Sequence, residues 1–492
     1  MRGMEQALTV SKAKVPWTTK FVYGIGTIAF GIKDNGFNAL LMIYYNQVIG
    51  LPAAWVGSAI MIAMVADAVL DPIVGQWSDS LRSKWGRRHP FMYASVIPVS
   101  IFYLLLWLPP SGVSDPVLFG YLLLIASATR IAIGVYEIPS TALLAEFTQD
   151  YDERTELVAF RFFFGVVGGI LMAIFIFSVI FADEPTAPGG ILDPAGYIKY
   201  AWIAAPLMGI AILVSSIGTH NRIASLPSLP VPEPQSLIKT AKEMAGTLFH
   251  RVNAPILIGS IFGSMAGGLN AALTIYMQTY FWELSANKIA FLTASGLLGV
   301  VLAFIIVLPL SKSFGKKWTT LSLYALTLVA IVTPVALRLI GLFPANGHPA
   351  LVPLLFCFSM IVAMSVVAAA ILTVSMVADV TEQILLSTGR KSEGLIFSAT
   401  AFVSKTVSGM GILMSGLILT FVAFPQNAKP GAVDASTIDN LAIVFAVATL
   451  GFTSAALVCM SFYPVSRDGH QSALDELARQ QAKGYGDRKE MV

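Results

Sequence analysis

Two acidic residues, Asp67 and Asp71, stand four positions apart inside a long apolar stretch of the chain. Residues four apart on an α-helix share one face, so the sequence predicts that the two carboxylates lie side by side. Neighbouring carboxylates repel each other in a low dielectric, and either a bound Na⁺ or a proton on one of them relieves that repulsion. We therefore predict a cation site at this pair, with Asp67 and Asp71 as the metal ligands if the ion is Na⁺. Lys405, in a later apolar stretch, would neutralise the pair when the cation leaves.

A static ion-pair network is the alternative interpretation of the same three side chains. It would hold the helices of the acidic pair and of Lys405 together without binding an ion. Acids in excess of the bases near them make a weak structural link, because burying an uncompensated charge is costly. The cation site is therefore the preferred hypothesis.

A second group of charged residues indicates a solute site. Glu137 is closely followed by Pro139, which removes a helix hydrogen bond and permits a kink. Together with Arg161 and the adjacent Lys33 and Asp34, Glu137 would form a polar patch suited to a hydroxyl-rich or charged solute. A kink with an ion pair is the alternative interpretation. Four neutral residues would add hydrogen bonds to a solute or to a neighbouring helix: Asn35, Asn270, Tyr276 and Gln278.

The composition explains why these charges stand out. The chain has 492 residues, 56% of them hydrophobic and 12% charged, with a mean hydropathy of +0.75. Soluble domains carry roughly 25% charged residues, so we predict an all-α integral membrane protein. Charges inside a bilayer are costly and mark functional sites by default. Away from the ends of the apolar stretches, we assign eight charges to the membrane interior, four of each sign: Lys33, Asp34, Asp67, Asp71, Arg130, Glu137, Arg161 and Lys405.

A membrane-spanning helix needs about 20 apolar residues. The chain contains twelve such stretches: 21–46, 52–78, 90–109, 117–147, 158–182, 198–219, 254–282, 289–311, 319–343, 351–378, 393–424 and 438–464. Lys and Arg concentrate in the loops on one side, whereas the opposite loops contain only Lys288 and Lys429. Because positive loops stay in the cytoplasm, both termini are predicted to be cytoplasmic.

The longest interior polar stretch, 220–252, divides the chain into two sets of six spans. We predict a first six-helix bundle over 1–219, a cytoplasmic linker with a surface helix over 220–252, a second bundle over 253–465 and a cytoplasmic tail over 466–492. The halves echo each other: GQWSDSLRSKWGRRHP in loop two corresponds to PLSKSFGKKW in loop eight, and AEFTQDYDERTEL in loop four to ADVTEQILLSTGRKSEG in loop ten. Parallel repeats of this kind are typical of two-bundle transporters.

The second loop resembles the loop signature of the major facilitator superfamily. The residues that carry this resemblance are Gly75, Asp79, Arg82, Gly86, Arg87 and Arg88. Further segments, YGIGTIAFGIKD, ADAVLDPIVGQWSD, YEIPSTALLAE, RFFFG and ADVTEQ followed by GRKSEG, are similar in order to those of the glycoside–pentoside–hexuronide:cation symporters, the family of the melibiose carrier.

The resemblance implies a role for each group of residues. It implies the cation-site positions for Asp67 and Asp71, with Lys405 beside them, and a gate latched by the second loop, whose basic residues would bond helix ends and acids of the neighbouring bundle. It implies five residues at the substrate: Lys33, Asp34, Glu137, Thr141 and Arg161.

The chain departs from the family pattern at three positions. Glu137 stands where the melibiose carrier has Asp, and Thr141 stands where that carrier has the aromatic residue that stacks on the sugar. Gly134 stands where it has a polar cation ligand. Selectivity for a sugar would then depend on hydrogen bonds or on another aromatic ring, such as Tyr136 or Tyr276.

We expect a secondary transporter in the bacterial inner membrane that couples Na⁺ or H⁺ to symport of a glycoside, oligosaccharide or hexuronide-like solute by alternating access. A same-fold symporter for a lysophospholipid or an organic anion, or a transporter-like sensor, is the alternative. We expect no cofactor beyond the coupling cation, no nucleic-acid partner, contact with membrane lipid and a monomeric state. The sequence has no His-rich or Cys-rich cluster and no nucleophile–base spacing in the apolar stretches, so an enzyme is not expected.

Overall fold

The computed structural model describes residues 14–148, 150–182, 190–223, 253–388 and 393–463. Every regular element in these ranges is helical. The α-helices are α1 (Trp17–Ile25), α2 (Ile28–Asn35), α3 (Leu41–Ile43), α4 (Ala53–Ser80), α5 (His89–Leu106), α6 (Asp115–Phe147), α7 (Tyr151–Phe175), α8 (Pro194–His220), α9 (Ala254–Tyr276), α10 (Ala286–Leu339), α11 (Leu351–Thr388), α12 (Glu393–Phe421) and α13 (Ala435–Ser461). π-helical turns cover Gly36–Leu40, Tyr44–Ile49, Ile176–Ile180 and Met277–Phe281, and a 3₁₀ turn covers Gly190–Leu192.

Within the described ranges, ten helical spans are long and apolar enough to cross a membrane. This confirms the prediction of an all-α, multi-pass membrane protein. The first predicted span, 21–46, appears as short α- and π-helical pieces that follow one another from Trp17 to Ile49. The predicted linker helix and C-terminal tail lie outside the described residues, apart from the linker's first four positions.

Helix α10 covers two predicted spans, 289–311 and 319–343, in one element of 54 residues. A helix of that length would extend about 80 Å, far more than a bilayer core of about 30 Å. Gly315 interrupts it with φ 77° and ψ 157°, a conformation that glycine adopts without a Cβ penalty. The turn falls inside the predicted eighth loop, and the count of twelve spans stays a prediction.

The chain forms two compact units. The first contains the described residues up to 223 together with 269–294 and 412–441, and the second contains the rest. In the first unit α4 packs on α6, α5 packs on α6 and α8, and α2 packs on α7. The second unit has buried clusters around Met376 and around Ala368. The predicted division into bundles over 1–219 and 253–465 stays a prediction.

Polar side chains join three segments of the first unit that are distant in sequence. Gln47 accepts hydrogen bonds from the Tyr280 hydroxyl at 3.1 Å and the Ala428 N–H at 3.0 Å. It donates to the Pro425 carbonyl oxygen at 3.1 Å. Gln47 is 3% exposed, so these bonds are made away from water. We call Gln47, Tyr280, Pro425 and Ala428 the Gln47 clasp; it ties the first helical segment to the chain that follows α9 and α12.

Helices α2 and α7 approach each other closely at glycines. A Cβ on Gly31 would overlap the carbonyl oxygen of Gly165 and lie 2.7 Å from the backbone nitrogen of Gly169. Both atoms belong to backbone, which cannot rotate away as a side chain can. We expect Gly31→Ala to destabilise the protein by about 1–3 kcal/mol, the usual cost of overpacking a tight contact.

Thermal unfolding of the purified protein measures this effect, and Gly120→Ala is the matched control. Gly120 also lies within a helix, α6, but a Cβ there would have nothing within 4 Å. Alanine at such a site is neutral or stabilising, because it reduces the freedom of the unfolded chain. Equal losses of melting temperature in both variants would contradict the close-approach argument.

Candidate functional site

The structure brings the carboxylates of Asp67 and Asp71 together at the contact of α4 with α6. Asp67 is 4% exposed and Asp71 is half-buried. Both carboxylates face Gly134 of α6, where a Cβ would lie 3.5 Å from Asp67 Oδ1 and 3.4 Å from Asp71 Oδ1. The i, i+4 spacing therefore places both acids on one helix face against the residue that the family pattern makes a cation ligand.

Arg130 of α6 pairs with Asp67. Its Nη2 donates to Asp67 Oδ2 at 2.8 Å, and the two side chains are 3% and 5% exposed. The guanidinium carbon lies 5.3 Å from the centre of the Phe37 ring. The sequence analysis identified Arg130 as a charge inside the membrane but did not predict that it binds Asp67 or Asp71. Arg130 lies four residues, or one helical turn, before Gly134, so the two residues share a face of α6. That spacing could have connected Arg130 to the acidic pair.

Lys405 lies in α12, in the second unit, and is half-buried. Its role beside Asp67 and Asp71 therefore stays a prediction. The ion pair at Asp67 joins α4 to α6. The static ion-pair network considered in the sequence analysis would instead link α4 to α12, the helix of Lys405.

Lys33 and Asp34 form an ion pair at the end of α2, with Lys33 Nζ 3.0 Å from Asp34 Oδ1. The Lys33 side chain is 6% exposed and that of Asp34 is 57% exposed. The π-helical turn Gly36–Leu40 follows directly. Such turns are rare and concentrate at functional sites. The pair thus presents one carboxylate to solvent with a buried ammonium behind it.

Arg161 of α7 reaches α6 and binds two hydroxyl groups there. Its Nη1 donates to Ser140 Oγ at 2.8 Å, and its Nη2 donates to Thr141 Oγ1 at 2.9 Å. The guanidinium also lies 4.9 Å from the Tyr23 ring centre and 5.8 Å from that of Phe30. Two aromatic faces and two hydroxyls hold the planar group in one orientation.

Glu137 and Thr141 stand one turn apart on α6. Thr141 Oγ1 donates to the Glu137 carbonyl oxygen at 2.8 Å, and Thr141 is exposed while Glu137 is half-buried. Tyr136 and Tyr276 are both fully buried, so neither ring offers a face to a solute in this structure. The structure therefore joins the Thr141 hydroxyl both to Arg161 and to the backbone carbonyl of Glu137.

The residues of the second loop bind one another and α6. Arg88 forms an ion pair with Asp79, and its Nε lies 3.1 Å from Glu146 Oε1. Arg87 Nη2 lies 2.7 Å from the same oxygen. Gly86, directly before the two arginines, has φ +73°, a left-handed conformation that glycine adopts without a Cβ penalty. The bonds described for Arg87 and Arg88 stay within the first predicted bundle.

The other two gate candidates are Gly75 and Arg82. A Cβ on Gly75 would be 3.6 Å from Ile138, an ordinary contact, and Arg82 is exposed. The sequence analysis missed Glu146, although it is the second residue of the AEFTQD segment, which echoes ADVTEQ of loop ten. Its side chain is 4% exposed, so it carries a buried charge between two arginines.

The second unit repeats the arrangement of the loop-two cluster. Gly315 has φ +77°, as Gly86 has +73°, and each is followed by two basic residues. Lys316 Nζ lies 2.7 Å from Asp379 Oδ1, and Asp379 holds the place in ADVTEQ that Glu146 holds in AEFTQD. Lys317 Nζ donates to the Tyr463 carbonyl oxygen at 3.0 Å. The sequence similarity between the two halves thus corresponds to an equivalent ion pair in each unit, Arg87 with Glu146 in the first and Lys316 with Asp379 in the second.

Charged groups buried among apolar spans, with a polar patch on α2, α6 and α7, define a membrane transporter. The chain belongs to the MFS/sugar transport protein family, whose sequence profile matches residues 22–467. This agrees with the predicted membership of the glycoside–cation symporters of the major facilitator superfamily. The protein is a transporter of a small molecule, not an enzyme.

Similar proteins extend over nearly the whole chain. The isoprimeverose transporter of Lactiplantibacillus pentosus is 24% identical, over 94% of this chain and 92% of its own. A putative glycoside/cation symporter of Escherichia coli K12, YagG, is 23% identical, over 96% of each chain. Among solved structures, a D-xylose–proton symporter has a TM-score of 0.59 at 15% identity, covering 91% of this chain and 98% of that one. The fold is therefore that of the major facilitator superfamily.

Proposed function

We propose that the protein is a secondary active symporter that couples Na⁺ or H⁺ to the movement of a glycoside, oligosaccharide or hexuronide-like solute. One observation carries the proposal: Arg161, Thr141 and the exposed carboxylate of Asp34 offer donors and acceptors within the apolar spans. Hydroxyl-rich solutes are recognised by convergent hydrogen bonds of this kind. The names of the isoprimeverose transporter and the glycoside/cation symporter, relatives over nearly their full lengths, support the same solute class.

The proposed mechanism is alternating access between two six-helix bundles, with both termini in the cytoplasm of a bacterial cell and the monomer as the working unit in the inner membrane. At the 1.5 Å rise of an α-helix, Asp67, Asp71 and Glu137 are expected about 12 to 18 Å from the predicted cytoplasmic ends of their spans. A bilayer core is about 30 Å thick, so this estimate places them near its midplane, where alternating-access transporters bind their solute, and it supports the proposal. Uptake of candidate glycosides into proteoliposomes under an imposed Na⁺ or proton gradient tests the proposal. Accumulation of none of them under either gradient would overturn it.

A second candidate is a solute that carries an acidic group. Arg161 and Lys33 are the observation in its favour, since an anion near them would be attracted. Arginine presents a planar fork of donors, whereas lysine is a single point charge. Replacing Arg161 with lysine should therefore weaken the binding of a carboxylated solute more than the binding of a neutral solute.

We expect Arg161→Lys to weaken binding of a hexuronide-like solute by about 1–3 kcal/mol, the scale of a hydrogen bond to a charged group. The loss for its neutral counterpart should be smaller. Binding of both solutes to the wild type and to the variant, measured calorimetrically, checks this. Thr141→Val is the control, because it removes the hydroxyl that Arg161 holds and keeps the charge. Equal losses for the two solutes in Arg161→Lys would show that Arg161 does not distinguish substrate charge.

A further inference from the structure

The Asp67 carboxylate already has a cationic partner. Arg130 is bonded to it at 2.8 Å, and neither side chain is more than 5% exposed. Arginine side chains carry a permanent positive charge in proteins. Phe37, itself fully buried, lies against the guanidinium 5.3 Å away. The charge is held between a ring and a carboxylate, where it cannot leave for water.

The same position is where the family resemblance implies a bound cation. An alkali-metal ion needs several oxygen ligands and a site of negative charge. Here Asp67 Oδ2 is engaged by Arg130, and Gly134, which faces both carboxylates, has no side-chain oxygen. A second cation at Asp67 would be repelled by the guanidinium in a low dielectric, where such repulsion is strong. Asp67 Oδ1 and the Asp71 carboxylate also face Gly134, but the guanidinium already supplies the positive charge at Asp67 that Na⁺ would bring.

We propose that Arg130 is a tethered cation that takes the place of an alkali-metal ion at Asp67, so that the protein needs no Na⁺ at this site. The inference rests on the proposed function in assigning the acidic pair to coupling. It deepens that function, since it removes Na⁺ from the coupling ions considered for this pair. Arg130 is thus a residue that determines ion specificity, acting through its bond to Asp67.

A purely structural ion pair is the competing explanation, and one feature separates the two. The Nε of Arg130 is buried and has no hydrogen-bond partner among the described residues. A guanidinium selected for structural strength would use its planar fork on both carboxylate oxygens. Arg130 instead makes one bond, to Asp67 Oδ2. Its main contribution at Asp67 is therefore a positive charge, which is also what a bound alkali-metal ion would contribute.

The test uses the purified full-length protein with Na⁺ alone as the probe. The melting temperature is measured in NaCl and in choline chloride at equal ionic strength. We expect the wild type to melt at the same temperature in both salts. Arg130→Gln, which removes the charge and keeps a polar side chain, should melt about 3 °C or more higher in NaCl, because an ion that binds the folded state stabilises it.

Two further variants distinguish ion replacement from general weakening. Arg130→Lys keeps the charge and should stay indifferent to Na⁺. The double variant Arg130→Gln with Asp67→Asn lacks the carboxylate and should lose the Na⁺ response of the single variant. A merely structural role for Arg130 would lower all melting temperatures without creating a difference between the salts.

Three results would overturn the proposal: a wild type stabilised by Na⁺, a folded Arg130→Gln that is indifferent to Na⁺, or an Arg130→Gln that folds in neither salt. The last counts because Na⁺ should replace the missing charge. Neither a solute nor a membrane gradient enters these measurements. A failure of the proposed symport in uptake assays is therefore a separate result.

Discussion

Replacing Asp71 with asparagine is expected to abolish accumulation of solute against its gradient, leaving the internal concentration equal to the external one. Coupling requires a group whose charge changes with the bound ion, and the amide of asparagine has no such change. Asp71 is half-buried beside Asp67 and faces the same glycine, so it shares the site of the pair. Exchange of solute across the membrane should continue, because it needs no net ion movement.

Asp67→Asn should abolish accumulation too, with a further cost. It leaves the Arg130 guanidinium buried without its carboxylate, and breaking a buried pair in this way destabilises by about 3–5 kcal/mol. Accumulation and exchange are measured in proteoliposomes, with the exchange rate reporting whether each variant is folded. If both single variants accumulate solute to the wild-type level, these residues are not the coupling site.

The second large effect is expected at the loop-two cluster. Glu146 is 4% exposed and accepts bonds from Arg87 and Arg88, so Glu146→Gln removes a buried negative charge that the two arginines share. We expect the second loop to separate from α6 more often. Because the resemblance implies that this loop latches the gate, the solute site should then open more often to the cytoplasm. Asp79→Ala should act in the same direction more weakly, since Arg88 keeps Glu146 and Ser78 as partners.

Labelling of a cysteine at exposed position 141 measures these changes from each side of the membrane. The native Cys357 and Cys459 are first replaced by alanine. Gln47→Leu is the opposite control, because the predicted topology places Gln47 in the first loop, on the side of the membrane opposite the second loop. The substitution breaks the Gln47 clasp and leaves the Tyr280, Pro425 and Ala428 groups without this partner. We expect Glu146→Gln to raise labelling from the cytoplasm and Gln47→Leu to lower it. An unchanged pattern in both variants would mean that the cluster serves only folding or topology.

The sequence alone determined that this protein lies in lipid and which of its charged residues share a helix face. An excess of apolar residues indicates lipid as the solvent. Apolar stretches of about 20 residues match the length of a spanning helix, which satisfies its own backbone hydrogen bonds, so the sequence predicts an all-α membrane fold. The four-residue spacing of Asp67 and Asp71 places them on one face by local geometry. The family segments then connected these residues to symport, although the roles of the site residues remain predictions.

The tertiary structure decided which charges meet. Arg130 and Glu137 lie on nearly the same face of α6 by periodicity, yet Arg130 binds Asp67 of α4. Glu146 and Asp379 each pair with a basic residue about sixty positions earlier, and Tyr276 is buried against Asn46 instead of facing a solute. Hydropathy sets where a helix crosses the membrane but not how it is rotated about its axis. That rotation depends on packing between helices distant in sequence, and close glycines such as Gly31 and Gly165 help to set it.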